Sequence, residues 1–404
     1  MNKQATSDKP LIGIAHPRLY RGGSECALMW ATDALVKEYR VHLITTGDPD
    51  LQSLNALYGT SVPANAVTVI RVPLPRLLAC THKAAALRGH WHQRYCRRIA
   101  DRYDVLFSAY NLCDFGRPAI QRIADFSWAP DVRAAADPAS TGSRGFHQTN
   151  FLNRLYLGAC RMVSPPSGRN LFTNDLLIAN SQWTASILKE NYGVRNVRVI
   201  YPPVPGDFPD VPWEERAPDF VCLGRLSREK RIETIIDILK RVRAMGHTPK
   251  LHIIGGTDGS SYARGVMETA QTEGDWIVWH GEQQGEEKRR LLAKCRYGIH
   301  ACPFEGFGIA VAEMVRAGCV PFVPATGGAA EIVGHDAALC WRSPDEAAGT
   351  IDGMLRAESA QTAACHALRQ QATLFSTASY QVAICATVHT MIASPRHTEA
   401  KQQP

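Results

Sequence analysis

The chain has no run of about 18 uninterrupted apolar residues, so no segment reads as a bilayer span. It also lacks a C-x-x-C pair and any Cys/His cluster at zinc spacing, although 12 cysteines are scattered from Cys26 to Cys385. Most of these sit among apolar neighbours, as Cys222 does in "FVCLGR". That setting suits reduced, buried thiols in a cytosolic compartment and argues against a disulfide framework. The polar start "MNKQATSDKP" runs directly into "LIGIA" and is too short and too poorly organised for a signal peptide. No internal repeat, low-complexity segment or nucleic-acid-binding signature is present. These absences point to a cytoplasmic protein, with peripheral attachment to the inner membrane face left open.

At 404 residues the chain is too long for one ordinary core, which implies two domains of roughly 200 residues each. Its net charge of +7 suits nucleic acid, an anionic membrane face or a phosphorylated substrate. With no nucleic-acid signature, phosphate-bearing substrates come first. The opening sixty residues read as strand "LIGIA", loop "HPRLYRGGSE", helix "ALMWATDALVKEY" and strand "RVHLITT", with Ser24 placed to cap the helix. Further units follow at "AVTVIRV", "YDVLFSAY" and "DLLIANS". Six prolines between Arg198 and Asp219 interrupt the series. It resumes with "FVCLGRL", "KLHIIGG", "WIVWHG", "YGIHACP" and "CVPFVPA". Alternation of this kind implies parallel sheets covered by helices in two doubly wound halves, joined near residues 201–217.

Three stretches can carry chemistry. In "HACPFEGFGIAVAEMVRAG", Glu305 lies at the carboxyl end of a strand, and Glu313 lies two turns into a helix that starts near Gly308 and stops at Gly318. Gly306 and Gly308 allow close backbone approach to an anion at the helix start. Glu313 can accept hydrogen bonds from a vicinal diol, or it can pair locally with Arg316. In "GRLSREKRIETI", Arg225 and Lys230 follow a strand end and can clamp a diphosphate. "TGGAAEIV" (Thr326–Val333) is a third glycine-led turn, either ligand-facing or merely tight.

"EGFGIAVAE" resembles the E-x7-E motif of retaining glycosyltransferases of family 4, and the resemblance continues along the chain. "RGGSE" is similar to that family's amino-terminal Gly-Gly loop, "GRLSREKR" to its G-R-x-(x)n-K segment, and "LFSTASYQVAICATV" to its terminal helices. The resemblance implies an α/β protein of GT-B fold, with two Rossmann-like doubly wound parallel-sheet domains facing each other across a cleft. Residues 1–203 would form the acceptor-side domain and 204–371 the donor-side domain. Terminal helices at 372–393 would pack back on the first domain, followed by a disordered tail at 394–404.

By the same resemblance Glu305 contacts the donor sugar and Glu313 the ribose hydroxyls. Arg225 and Lys230 hold the diphosphate, Gly306, Phe307, Gly308 and Ile309 line the donor, and the Gly22-Gly23 loop closes over it. The implied activity is retaining transfer of a hexosyl group from a GDP- or UDP-sugar to a hydroxyl acceptor on a glycan, a lipid carrier or a small metabolite. A nucleotide-sugar epimerase or hydrolase of the same fold, and an inactive sugar-nucleotide-binding subunit, remain alternatives.

One departure stands out. Where many relatives carry a histidine near the reacting sugar, "IADFSWAPD" places Asp125, which is either a contact to a sugar or acceptor hydroxyl or a turn residue. His16, in "IAHPRLYRGG", is a second candidate near the donor loop. No metal or other cofactor is expected. The "DPD" of Asp48–Asp50 reads as ordinary turn residues, and cations with a helix terminus supply the charge neutralisation. "HKAAALRGHWHQRYCRR" (His82–Arg98) is the most basic stretch, with Arg94, Arg97 and Arg98 placed on one helical face. It reads either as a solvated face or as a contact for anionic lipid.

Overall fold

The computed structural model of the chain describes residues 9–19, 22–79, 84–129, 131–133 and 151–393. The amino-terminal residues before 9, His82 and the tail expected from 394 onward lie outside the described residues. The chain divides into two compact units. The first takes in the described residues up to Ala129, then 151–203 and 377–393, and the second takes in 131–133 and 204–376.

The first unit is built on seven strands: β1 (Leu11–Ala15), β2 (Arg40–Thr45), β3 (Val67–Arg71), β4 (Val105–Ser108), β5 (Ile120–Ile123), β6 (Leu176–Ala179) and β7 (Val197–Val199). They lie in the order β3-β2-β1-β4-β5-β6-β7, and every pairing is parallel. All five residues of β1 are buried, as a continuous apolar run covered on both faces requires. Gly13 has a packing reason: a Cβ there would sit 2.8 Å from the Tyr103 ring. The last helix, Thr377–Ala393, returns to this unit. Its Tyr380, Ile384 and Val388, spaced one turn apart, join the core with Leu28 and Leu35 of the helix Gly23–Leu35. The buried Tyr380 hydroxyl donates to the Ala27 carbonyl at 3.0 Å.

The second unit holds β8 (Ala217–Leu223), β9 (Leu251–Ile254), β10 (Ile277–Trp279), β11 (Cys295–Ile299), β12 (Val320–Pro324) and β13 (Cys340–Trp341). The order is β10-β9-β8-β11-β12-β13, again all parallel. From β8 the chain builds outward to β9 and β10, then crosses to β11 on the other side. The strand order therefore reverses between β8 and β11, and ligands bind outside the carboxyl ends of the strands at such a reversal. The first unit reverses in the same way between β1 and β4.

The helix after β11, Ile309–Arg316, ends as its sequence suggests. Gly318 adopts φ +84°, its N–H donates to Val315 O, and Cys319 N–H donates to Met314 O, closing a Schellman turn. The buried guanidinium of Arg216 completes this end by donating to the Ala317 carbonyl at 2.7 Å. Of the cysteines, eleven among the described residues are free thiols, nine of them buried. Among the described residues no helix is long and apolar enough to cross a membrane.

Candidate functional site

The carboxyl ends of β8 and β11 bring together the residues singled out in the second unit. After β8 the chain turns through Gly224, whose carbonyl oxygen would lie 1.8 Å from a Cβ on Gly255 at the end of β9. Two strand ends touch there through bare backbone. A single turn, Arg228–Lys230, then aims Lys230 across the strand reversal, so that its Nζ donates to Glu305 Oε2 at 2.6 Å. Both side chains are only about one-fifth exposed, at 21% and 22%.

Burial alone would raise the Glu305 carboxyl. The Lys230 ammonium and the neighbouring His300 outweigh it and hold the carboxyl well below the usual carboxylate range. Burial pulls the Lys230 ammonium the other way, and Glu305 carries it above its ordinary value. His300, the first residue beyond β11, is almost wholly enclosed, and its burial lowers the imidazole from its ordinary value. Its Nε2 lies 3.5 Å from Glu305 Oε2 and has no aligned hydrogen-bond partner.

Arg225 does not join this group. Its side chain is 76% exposed and pairs with Glu229 at 3.3 Å. Phe307 is buried, its ring 5.4 Å from that of Phe375, so it anchors the loop by packing. Gly308 takes φ +100° as the residue leading into the helix, a conformation that favours glycine, and Ile309 is the first helical residue.

Glu313 differs from one of its two sequence-based readings. It does not pair with Arg316, whose guanidinium donates instead to the Val204 and Gly206 carbonyls. Its partner is Lys288 of the helix Gly285–Lys294, with Nζ 2.9 Å from Oε1 and 2.8 Å from Oε2.

The "TGG" turn is settled by packing as well. Gly327 adopts φ +83°, and Gly328 N–H donates to the Glu305 carbonyl at 2.7 Å. A Cβ on Gly328 would fall 2.3 Å from the Gly306 carbonyl oxygen. The turn is thus the floor on which the Glu305 loop rests. Gly328→Ala is expected to destabilise the protein by about 1–3 kcal/mol through this clash. Chemical denaturation would register it, and an unchanged midpoint would show that the two loops part freely.

In the first unit the carboxyl ends of β1, β4 and β5 carry the other candidates. His16 is 3% exposed, and its Nε2 lies 3.4 Å from Ser24 Oγ. Burial is the main cause that lowers its imidazole to about 4, against the opposing pull of Glu25. Ser24 does not cap its helix as expected. The cap position is Gly22, without a side-chain hydrogen bond, and Ser24 Oγ donates to Glu25 Oε2 at 2.6 Å. Gly22 N–H donates to the Tyr58 hydroxyl, which in turn donates to the Gly22 carbonyl, and Gly23 opens the helix. Asp125 organises a turn. Its carboxylate accepts from Asn111 Nδ2 at 2.9 Å, Ser127 N at 2.8 Å and the Tyr110 hydroxyl at 3.3 Å.

The "DPD" acids serve separate partners: Asp50 accepts from Ser53 N to cap the helix Leu51–Tyr58, and Asp48 pairs with Arg71. Among the described residues, two groups have donor atoms close enough together to hold a metal: His300, Cys302 and Glu305, and the buried His92, Cys96 and Cys113. At the first, a cation would have to displace the Lys230 ammonium from Glu305. Sequence reasoning missed Lys288 and His300. The signal for His300 was its place, immediately after a strand whose following loop already drew attention. Lys288 had none, because it reaches Glu313 from a different helix.

Residues 205–374 match the family model described as glycosyl transferases group 1, as the resemblance of "EGFGIAVAE" and "GRLSREKR" implied. The chain is 27% identical over 171 residues to the GDP-Man:Man(3)GlcNAc(2)-PP-Dol alpha-1,2-mannosyltransferase of Candida glabrata, covering 38% of this chain and 34% of that protein. With the protein of the same description from Mus musculus it shares 22% over 363 residues, covering 80% of this chain and 73% of the relative. The match thus spans about a third of the yeast relative's length. Among solved structures, Anabaena HepE in complex with UDP and glucose superposes with a TM-score of 0.64 at 17% identity, covering 94% of this chain and 100% of the other. Such likenesses show the fold, and it is GT-B, with two Rossmann-like parallel-sheet units.

Proposed function

We propose, starting from the match of residues 205–374 to the family model of glycosyl transferases group 1, that the chain transfers a hexosyl group from a nucleoside-diphosphate sugar to a hydroxyl acceptor with retained configuration. One observation carries the reading: Lys230 and Glu305 meet at the carboxyl edge where the strand order reverses, and Glu313 lies on the helix that follows the Glu305 loop. An ammonium there neutralises a departing diphosphate without a metal. Glu305, kept ionised by Lys230, orients the sugar and stabilises positive charge as the glycosidic bond opens. Glu313 accepts from the ribose diol, and exposed Arg225 is long enough to swing onto the phosphates. The curated relatives named above act from GDP-mannose, which puts a GDP-sugar ahead of a UDP-sugar as donor. Their acceptors are lipid-linked glycans, which favours an acceptor of that kind.

Thermal unfolding with GDP, UDP, ADP and NAD tests the donor assignment. A ligand at about a hundred times its Kd stabilises by roughly 2.7 kcal/mol, which moves a melting point by several degrees. GDP is expected to give the largest shift. A shift with NAD alone would sink the reading.

A further inference from the structure

The positive charge of this chain is not spread over it. Residues 51–100 hold seven Lys and Arg and no acid, and residues 138–174 hold four Arg and no acid. Setting these two segments aside leaves the remainder at −4, against +7 for the whole. Within the first unit the fold brings one helix of each segment together. The helix Ala85–Arg98 lies beside the helix Phe151–Val163. Leu87 N–H donates to the Tyr156 hydroxyl, Gln93 to Ser164, and Arg94 to the Val163 carbonyl. The near-constant offset of these contacts means that the two helices run in the same direction.

Arg97 is turned inward, contrary to its expected place beside Arg94 and Arg98. It pairs with the carboxylate of Asp114 at 2.6 Å and donates to the Pro165 carbonyl. Arg94, Arg98 and Arg161 remain exposed, and none forms an ion pair among the described residues. Beside Arg161, Met162 is 81% exposed, the largest exposure among the big apolar side chains described.

We infer that this helix pair docks the protein on an anionic lipid bilayer. Clustered cations without acids suit a negatively charged headgroup layer. An unburied methionine set among them suits the boundary between headgroups and acyl chains, and a soluble polyanion would have no use for it. The inference is independent of the transferase reading, because it concerns binding to lipid alone.

Co-sedimentation of the full chain with vesicles tests it. Vesicles of phosphatidylcholine mixed with phosphatidylglycerol are expected to bind the protein, and phosphatidylcholine alone is not. R94E/R98E/R161E should lower the partition coefficient by about a hundredfold, each lost cation weakening attraction roughly fivefold. The charge-preserving R94K/R98K/R161K should bind as the parent does. R98E/R161E, which spares the Arg94 contact to Val163, should fall between. M162D should weaken binding most at about 0.5 M salt, where the charges are screened. Equal binding to neutral vesicles, or a charge reversal without effect, would overturn the proposal. So would retention on immobilised heparin with no binding to either vesicle, which would assign the surface to a polyanionic glycan.

Discussion

Glu305→Gln is expected to lower glycosyl transfer by about a hundredfold or more, a loss typical of removing one charge-stabilising group from a transition state. Most of the local structure survives the substitution. Gln keeps the size of the side chain and an oxygen to accept from Lys230, now 2.6 Å away. The loop position is kept too, because it depends on the Glu305 carbonyl and Gly328 N–H. What disappears is the negative charge beside the reacting sugar. Lys230, no longer neutralised, is freer to meet a diphosphate, so nucleotide affinity should hold or tighten. Steady-state transfer and calorimetric titration of the nucleotide, run on the same preparation, separate the two effects. Full transfer by the variant would remove Glu305 from the chemistry. A collapse of nucleotide binding would make it a binding residue instead.

Lys230→Ala is expected to have the largest effect on stability. The pair is mostly enclosed, and removing one partner leaves Glu305 and its charge uncompensated beside a neutral imidazole. Breaking such a pair costs about 3 kcal/mol or more. For a unit of this size that is a fall of roughly 6–12 °C in melting midpoint. The double variant Lys230→Ala/Glu305→Gln carries no stranded charge and should recover much of the loss. If the two single effects simply add, the pair is not coupled and the assignment fails.

The pH dependence has a definite sign. The depressed Glu305 carboxyl contributes stability above its ordinary value of 4.5, lost as pH falls through its lower folded value. The elevated Lys230 ammonium contributes below its ordinary 10.5, lost as pH rises through its higher folded value. The difference between wild type and variant should therefore be flat between about pH 7 and pH 10, and should narrow below that as His300, no longer held down by Lys230, takes up a proton beside Glu305 in the variant.

Much of this protein follows from local sequence. Continuous apolar runs such as "LIGIA" and "CVPFVPA" are enough to make buried parallel strands, since only a strand covered on both faces carries no polar alternation. Gly318 had to end a helix, because few other residues accept φ +84°. The acids of "EGFGIAVAE" and the cations of "GRLSREKR" pointed to a candidate site for an anion and a diol through residue chemistry and strand-end position alone. The short strand Cys340–Trp341 escaped notice because two residues are too few to show any period.

Other features depend on segments far apart in the chain, and no window of sequence contains them. Strand order is one: only the pairing of β8 with β11 shows that the two loops meet where the sheet reverses. Partner choice is another. Lys230 selects Glu305 seventy-five residues away, Glu313 takes Lys288 in preference to the nearer Arg316, and Arg97 is drawn inward by Asp114. Sequence by itself determined which elements form and which chemistries are available, because both are set by neighbours along the chain. The tertiary structure decided which charges face each other, because that depends on distance through space and on how little water remains between them.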